Sequence, residues 1–166
     1  SHASLANVAR FRVGSTMTMK IDSSGRITKP LQPAFSATAT TTNIPLTTAT
    51  TVTLSSERFD VGSNLASNIF TAPITGKYLF TYMFYFRDVD ADHTTLDVHI
   101  LTSNKQYQQT FSPDHCFNSD SNFSVSSSVI ADMDANDTME YRVYVSGGGA
   151  QTDIHADSQV SGCLLF

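Results

Sequence analysis

A chain of 166 residues and 18.1 kDa is long enough for one domain with a sizeable core and too short for two comfortable ones. It is 40% hydrophobic but only 15% charged, with net charge −5 and no Lys/Arg cluster, so it lacks the phosphate-contacting surface expected of a nucleic-acid binder. No apolar run approaches the roughly 20 residues of a membrane helix, and no membrane insertion is expected.

The opening SHAS carries neither a basic n-region nor an apolar h-region, so no signal peptide is expected there. FRVGSTMTMKIDSSGRITKP (11–30) alternates weakly, turns at DSSG and stops at Pro30. It holds too few bulky apolar groups to close a core. Residues 1–30 are therefore expected to form a short β-stem that needs partners, because an isolated two-stranded ribbon is marginal in water. The main domain is expected over 31–166.

Beyond Pro30 the Thr-rich stretch 38–53 fits strands and loops better than a flexible linker, since β-branched residues suit a pleated surface. Period-two patterns then recur: Leu96, Val98 and Ile100; Phe123, Val125, Ser127 and Val129; Met139, Tyr141, Val143 and Val145. Turn signals separate them at VGSN (61–64), APITG (72–76), SPDH (112–115), DANDT (134–138) and SGGG (146–149). The pattern predicts an all-β, antiparallel sandwich or barrel of about eight to ten strands.

One strand is apolar on both faces. In FTAPITGKYLFTYMFYF (70–86), Tyr78, Phe80, Tyr82, Phe84 and Phe86 share one face, while Leu79, Met83 and Tyr85 share the other. Five aromatics in line form a patch larger than monomers usually expose, so these five are expected to line a subunit interface. The alternative is a wide internal core, with Leu79, Met83 and Tyr85 under a loop.

Several polar groups invite chemistry. DVDADH (88–93) ends the aromatic strand, and Asp88, Asp90 and Asp92 are hard-oxygen ligands suited to Ca2+, with a solvated acidic loop as the plainer reading. Asp132, Asp134 and Asn136 resemble the start of an EF-hand loop. Asp137 then stands where Gly is needed and Val143 where the bidentate Glu belongs, so a hairpin turn is expected instead. Asp153, His155 and Asp157 alternate on one strand and are expected on one face, with Ile154 and Ala156 inward. His115 adjoins Cys116 without a third catalytic partner, and no helix follows the SGGG loop to bind phosphate. Cys116 and Cys163 form one disulfide or none. No enzyme is indicated.

Four blocks carry a family resemblance. PAFSA (33–37), RFD (58–60) with FTAPITGKYLF (70–80), SSSVIADMDANDTMEYRVYV (126–145) and SGCLLF (161–166) resemble, in order and spacing, the complement C1q-like domains of the tumour-necrosis-factor jelly-roll group. The third block is similar to a long hairpin of that family. The resemblance implies an antiparallel jelly roll of about ten strands that assembles as a tight homotrimer, side chains of one sheet meeting near the threefold axis. MTMKIDSSGRITKPLQPAFSA (17–37) is similar to the shaft-to-tip junction of phage tail fibres. Together these imply a non-catalytic trimeric binding head at a fibre tip of a virion, attaching to a host cell-surface glycan or protein. Three copies of each loop would add weak contacts as avidity. The contact loops expected are 88–93, 112–120 and 146–150, with Asp88, Asp90, Asp92, His93, His115 and Gly148 as candidate ligand-binding residues and no cofactor unless Ca2+. A secreted, extracellular C1q-domain lectin and a purely structural trimerisation cap are the alternatives.

Overall fold

The computed structural model describes residues 8–166, and residues 1–7 of the expected stem lie outside them. The chain divides between Gln32 and Pro33 into two units. In the first, β1 (Ala9–Val13), β2 (Thr16–Ile21) and β3 (Ile27–Thr28) pair antiparallel in the order β1-β2-β3. The DSSG turn is built by Asp22. Its Oδ1 accepts the N–H groups of Ser24 and Arg26 at 2.9 and 3.0 Å, and its Oδ2 lies 2.7 Å from Arg26 Nε. Gly25, at φ +77°, supplies the left-handed step. None of the described residues in this unit is buried.

The second unit, Pro33–Phe166, comprises β4 (Ala34–Thr41), β5 (Thr50–Thr51), β6 (Thr53–Val61), β7 (Leu65–Ala66), β8 (Ile69–Thr71), β9 (Gly76–Val89), β10 (His93–Thr102), β11 (Gln106–Phe111), the single turn α1 (Pro113–Cys116), β12 (Ser121–Met133), β13 (Thr138–Gly147) and β14 (Asp153–Leu164). One sheet has the order β12-β9-β14-β4-β6. The other has the order β11-β10-β13-β8-β7, with β5 alongside β13. All strand pairs are antiparallel, and the two sheets form a β-sandwich. The expected hairpin over 126–145 does not form. β12 pairs with β9 and β13 with β10, so the DANDT turn carries the chain from one sheet to the other. Asp137 shapes that turn, accepting the Asp134 N–H at 2.7 Å and the Ser103 hydroxyl at 2.8 Å.

The aromatic face of β9 is the internal core. Tyr78, Phe80, Tyr82, Phe84 and Phe86 are all buried within the single chain, so the expectation that they line a subunit interface is overturned. The second sheet covers them. Phe70 lies 5.6 Å from Phe80 and Tyr141 lies 6.1 Å from Phe84, ring centre to ring centre, and Leu96, Val98, Met139 and Val143 fill the layer between. Rings this large need no unusual width: β9 stacks them along its own length, with 4.8 Å between Tyr82 and Phe84. Gly162 makes room for them, since a Cβ there would stand 2.6 Å from the rings of Phe35 and Phe80. Leu79, Met83 and Tyr85 occupy the outer face instead.

Candidate functional site

The three loops singled out from the sequence meet at one end of the sandwich. Asp90, between β9 and β10, accepts the Asp92 N–H at 2.8 Å through Oδ1 and the Gly149 N–H through Oδ2. Asp120, just before β12, accepts the Ala91 N–H at 3.1 Å and the Gln151 side-chain amide at 2.7 Å. Two carboxylates thereby fasten 88–93, 112–120 and 146–152 to one another. The backbone N–H groups of Asp92 and then Gly149 hold the Asp90 carboxyl below the usual carboxylate value, because they favour its charged form.

His93 forms the floor. It is fully buried, with Nδ1 2.7 Å from the Gly147 carbonyl and Nε2 2.7 Å from the Thr152 hydroxyl. A carbonyl only accepts, so Nδ1 carries a proton toward Gly147, and Nε2 shares a hydrogen bond with the Thr152 hydroxyl. Gly147 and Gly148 turn the neighbouring loop through φ +79° and +60°, and a Cβ on Gly148 would meet the Asp90 carboxylate at 2.6 Å. Asp88, at φ +51°, is pinned by its N–H to Asn122 Oδ1 at 2.9 Å.

Of the residues expected here, Asp90, His93 and Gly148 are parts of one network, and Asp88 and Asp92 stand exposed on its rim. His115 does not join it. It lies exposed on α1, 3.9 Å from Asp114. Asp120, Gln151 and Thr152 were missed. Asp120 falls inside an expected contact loop, but neither Gln151 nor Thr152 carries any local signal. Among the described residues no three His, Cys, Asp or Glu side chains form a metal-holding group. Of the three carboxylates considered for Ca2+, Asp90 has both oxygens accepting backbone N–H groups, while Asp88 and Asp92 are exposed. The alternation expected over Asp153, His155 and Asp157 is interrupted, although His155 Nδ1 still lies 3.3 Å from Asp157 Oδ2. A register shift in β14 between Ile154 and Ser158 leaves Ala156 exposed, while the His155 ring packs on Tyr85 at 5.4 Å. Cys116 and Cys163 are both free thiols.

The outer face of the five-stranded sheet is the second feature. Ile130, Leu79, Cys163, Ala34 and Val61 form one apolar row across all five strands. Beside it run Ser128, Thr81, Ser161, Ser36 and Phe59, then Ser126, Met83, Gln159, Thr38 and Ser56. These fifteen residues carry no charge. The unit around them is strongly acidic: of the total −5, the five cations and single Asp22 of residues 1–32 leave −9 for residues 33–166. Met83 is 46% exposed and Ile130 60%. The Lys77–Asp132 ion pair, at 2.6 Å, marks one end of the uncharged area.

The outer face of the other sheet holds a shielded polar cluster. His99 faces Arg142 across the strand pair and lies 4.0 Å from Asp97, while Arg142 Nη2 donates to Glu140 at 2.7 Å. Burial lowers the proton affinity of His99, Asp97 opposes that shift, and Arg142 adds to it. A space of about 40 Å3 between the sheet edges, lined by Tyr82, Tyr107, Gln109 and Ser127, accommodates no more than a water or two. Burial there pushes the Tyr82 hydroxyl up to about 12.

No family model matches the sequence, and no curated protein is similar to it in sequence. Among solved structures, the globular domain of zebrafish complement 1qA protein is similar in fold, with TM-score 0.58 and 17% identity, over 81% of this chain and 98% of that one. Murine APRIL at pH 8.0 is similar with TM-score 0.51 and 14% identity, over 81% of this chain and 99% of that one. At these identities the likeness is one of fold, and it identifies the second unit as a C1q- and TNF-like jelly roll.

Proposed function

We propose that this chain is a non-catalytic, homotrimeric recognition head whose copies meet through the outer face of the five-stranded sheet. The observation that carries the reading is the uncharged area around Leu79, Met83, Ile130 and Cys163 on a unit of net charge −9, since a surface left to water would share the charge around it. The three interlocked loops then present themselves in triplicate, and repeated weak contacts to a repetitive host surface add as avidity. Within this reading the chain is the receptor-binding tip of a viral tail fibre, carried on the virion, and its ligand is a cell-surface glycan or protein. A secreted recognition protein is the rival favoured by the likeness to complement 1qA.

Light scattering at micromolar protein tests the assembly. A native mass near three times 18.1 kDa is expected, and a stable 18.1 kDa species overturns it. Adsorption of labelled chain to host cells tests recognition. Asp120→Ala, which unfastens the loops without touching the sheet face, should abolish adsorption at unchanged mass. Undiminished adsorption would place the contact elsewhere.

A further inference from the structure

We infer that Asp97, His99, Arg142 and Glu140 form an acid-triggered switch on the outer face of the second sheet, in which a proton on His99 pairs it with Asp97 and releases Arg142 from its place beside β5. The inference is independent of the assembly proposed above, since that assembly uses the other sheet. The strand register brings the parts together. His99 stands on β10 between Gln108 of β11 and Arg142 of β13, and Thr51 of β5 follows Arg142 in the same cross-strand row. Asp97 lies on the same face of β10, while Glu140 and Tyr144 flank Arg142 on β13. The charged groups that His99 meets are therefore Asp97, Arg142 and, beyond it, Glu140. β11 and β5 contribute only the uncharged Gln108 and Thr51.

The cluster is incompletely satisfied with His99 neutral. Asp97 and His99 are buried, and Asp97 Oδ1, His99 Nε2 and Arg142 Nε have no hydrogen-bond partner among the described residues. Unpaired buried groups of this kind are costly, which favours any rearrangement that pairs them. His99 Nε2 lies 4.0 Å from Asp97 Oδ2, just beyond hydrogen-bond distance. Two carboxylates against one guanidinium leave the neutral-His99 cluster one negative charge in excess. A proton on His99 balances that charge and gives Asp97 a cationic donor. It also sets a second cation directly opposite Arg142, which is destabilising on adjacent strands and poorly screened where burial excludes water. Arg142 is the member free to leave: its side chain is 36% exposed, and it is held through Nη2 on Glu140 at 2.7 Å. Glu140 in turn accepts the Thr51 hydroxyl at 2.6 Å, so the same chain of contacts fastens the two-residue strand β5 to β13. Burial disfavours the proton on His99, which sets the trigger on the acid side of the ordinary value of about 6.5.

Amide exchange followed by NMR in the full chain reads the switch. The N–H groups of Thr47 and Val52, on either side of β5, donate to the Val145 and Tyr141 carbonyls at 2.8 and 2.9 Å. Their protection, corrected for the intrinsic exchange rate, should fall on the order of tenfold between about pH 7 and about pH 5, while amides of β9 keep theirs. The His99 imidazole resonance should titrate with the same midpoint. Asp97→Asn removes the acceptor and should move both transitions to lower pH. Arg142→Gln removes the opposing cation, so it should move the His99 titration to higher pH and leave Thr47 and Val52 poorly protected throughout. A purely structural role would not shift the His99 midpoint in opposite directions in the two variants. Equal protection of Thr47 and Val52 at both pH values in the unmodified chain overturns the inference, whatever the variants do. So does an equal loss across β9, which is global unfolding, or a His99 titration that leaves those two amides unchanged.

Discussion

Met83 and Phe84 are adjacent in sequence and point to opposite faces of β9, so a pair of substitutions separates the core from the proposed interface. Phe84 is fully buried, with ring centres 4.8 Å from Tyr82, 6.2 Å from Phe86 and 6.1 Å from Tyr141. A buried aromatic removes about 150–250 Å2 from water, which at about 25 cal/mol per Å2 is about 4–6 kcal/mol as an upper bound. Phe→Ala substitutions in cores cost about 3–5 kcal/mol, so Phe84→Ala should destabilise by about 4 kcal/mol. At about 2–4 °C per kcal/mol for a chain of this size, the melting temperature should fall by roughly 8–16 °C. Met83→Asp touches none of those rings and should change the stability of the isolated chain by less than about 1 kcal/mol. In an assembly through the outer face it sets one carboxylate per copy into a contact with no cation near it, and the native mass should drop to that of one chain. Urea unfolding followed by tyrosine fluorescence, together with light scattering, reads both effects; the chain has six tyrosines and no tryptophan. If Phe84→Ala lowered the mass and left the unfolding midpoint in place, the five rings would be the interface and the argument from burial would be wrong.

Gly148→Ala forces a side chain into φ +60° and against the Asp90 carboxylate, which should cost about 1–2 kcal/mol locally and speed amide exchange at Gly149. Exchange as slow as in the wild type would show that Asp90 does not fasten that loop. His99 is held below its ordinary value of about 6.5, so the folded chain binds its proton less readily than the unfolded one. Its share of stability is complete above about pH 6.5 and declines as the pH falls toward the folded value, and His99→Gln should flatten urea midpoints across that window. An unaltered pH slope in the variant would assign the effect to another group. EDTA should leave melting temperature and native mass unchanged, because among the described residues no three His, Cys, Asp or Glu side chains are grouped to hold a metal ion. A fall in melting temperature that Ca2+ restores would return Asp88, Asp90 and Asp92 to the role of metal ligands.

The fold was legible because period two is a local property. Leu96, Val98 and Ile100, or Met139, Tyr141, Val143 and Val145, alternate on their own strands, and each set is buried as that alternation requires. The loops were legible for a related reason: DVDADH and SGGG announce turns, and the ends of long strands in a two-sheet sandwich bring turns together. What alternation cannot supply is the identity of the covered face. On β9 both faces are apolar, and the choice between them is made by Tyr141 and Met139, more than fifty residues downstream, which close over Phe84 and Tyr82 and leave Met83 outside. The same limit explains Asp120 and Thr152. Their partners, Ala91 and His93, are contributed by a strand connection that no neighbouring residue specifies. The bulge in β14 is a smaller instance. Asp153, His155 and Asp157 alternate in the sequence, but pairing with β4 and β9 on both sides obliges the strand to absorb extra residues between Ile154 and Ser158. The residues that fasten the candidate site are thus the least visible in the sequence, since their positions follow from topology. The exposed Asp88 and Asp92 are conspicuous but do not hold the loops together. A search for the ligand contact should therefore begin by unfastening Asp120, which governs all three loops, before individual rim residues are replaced.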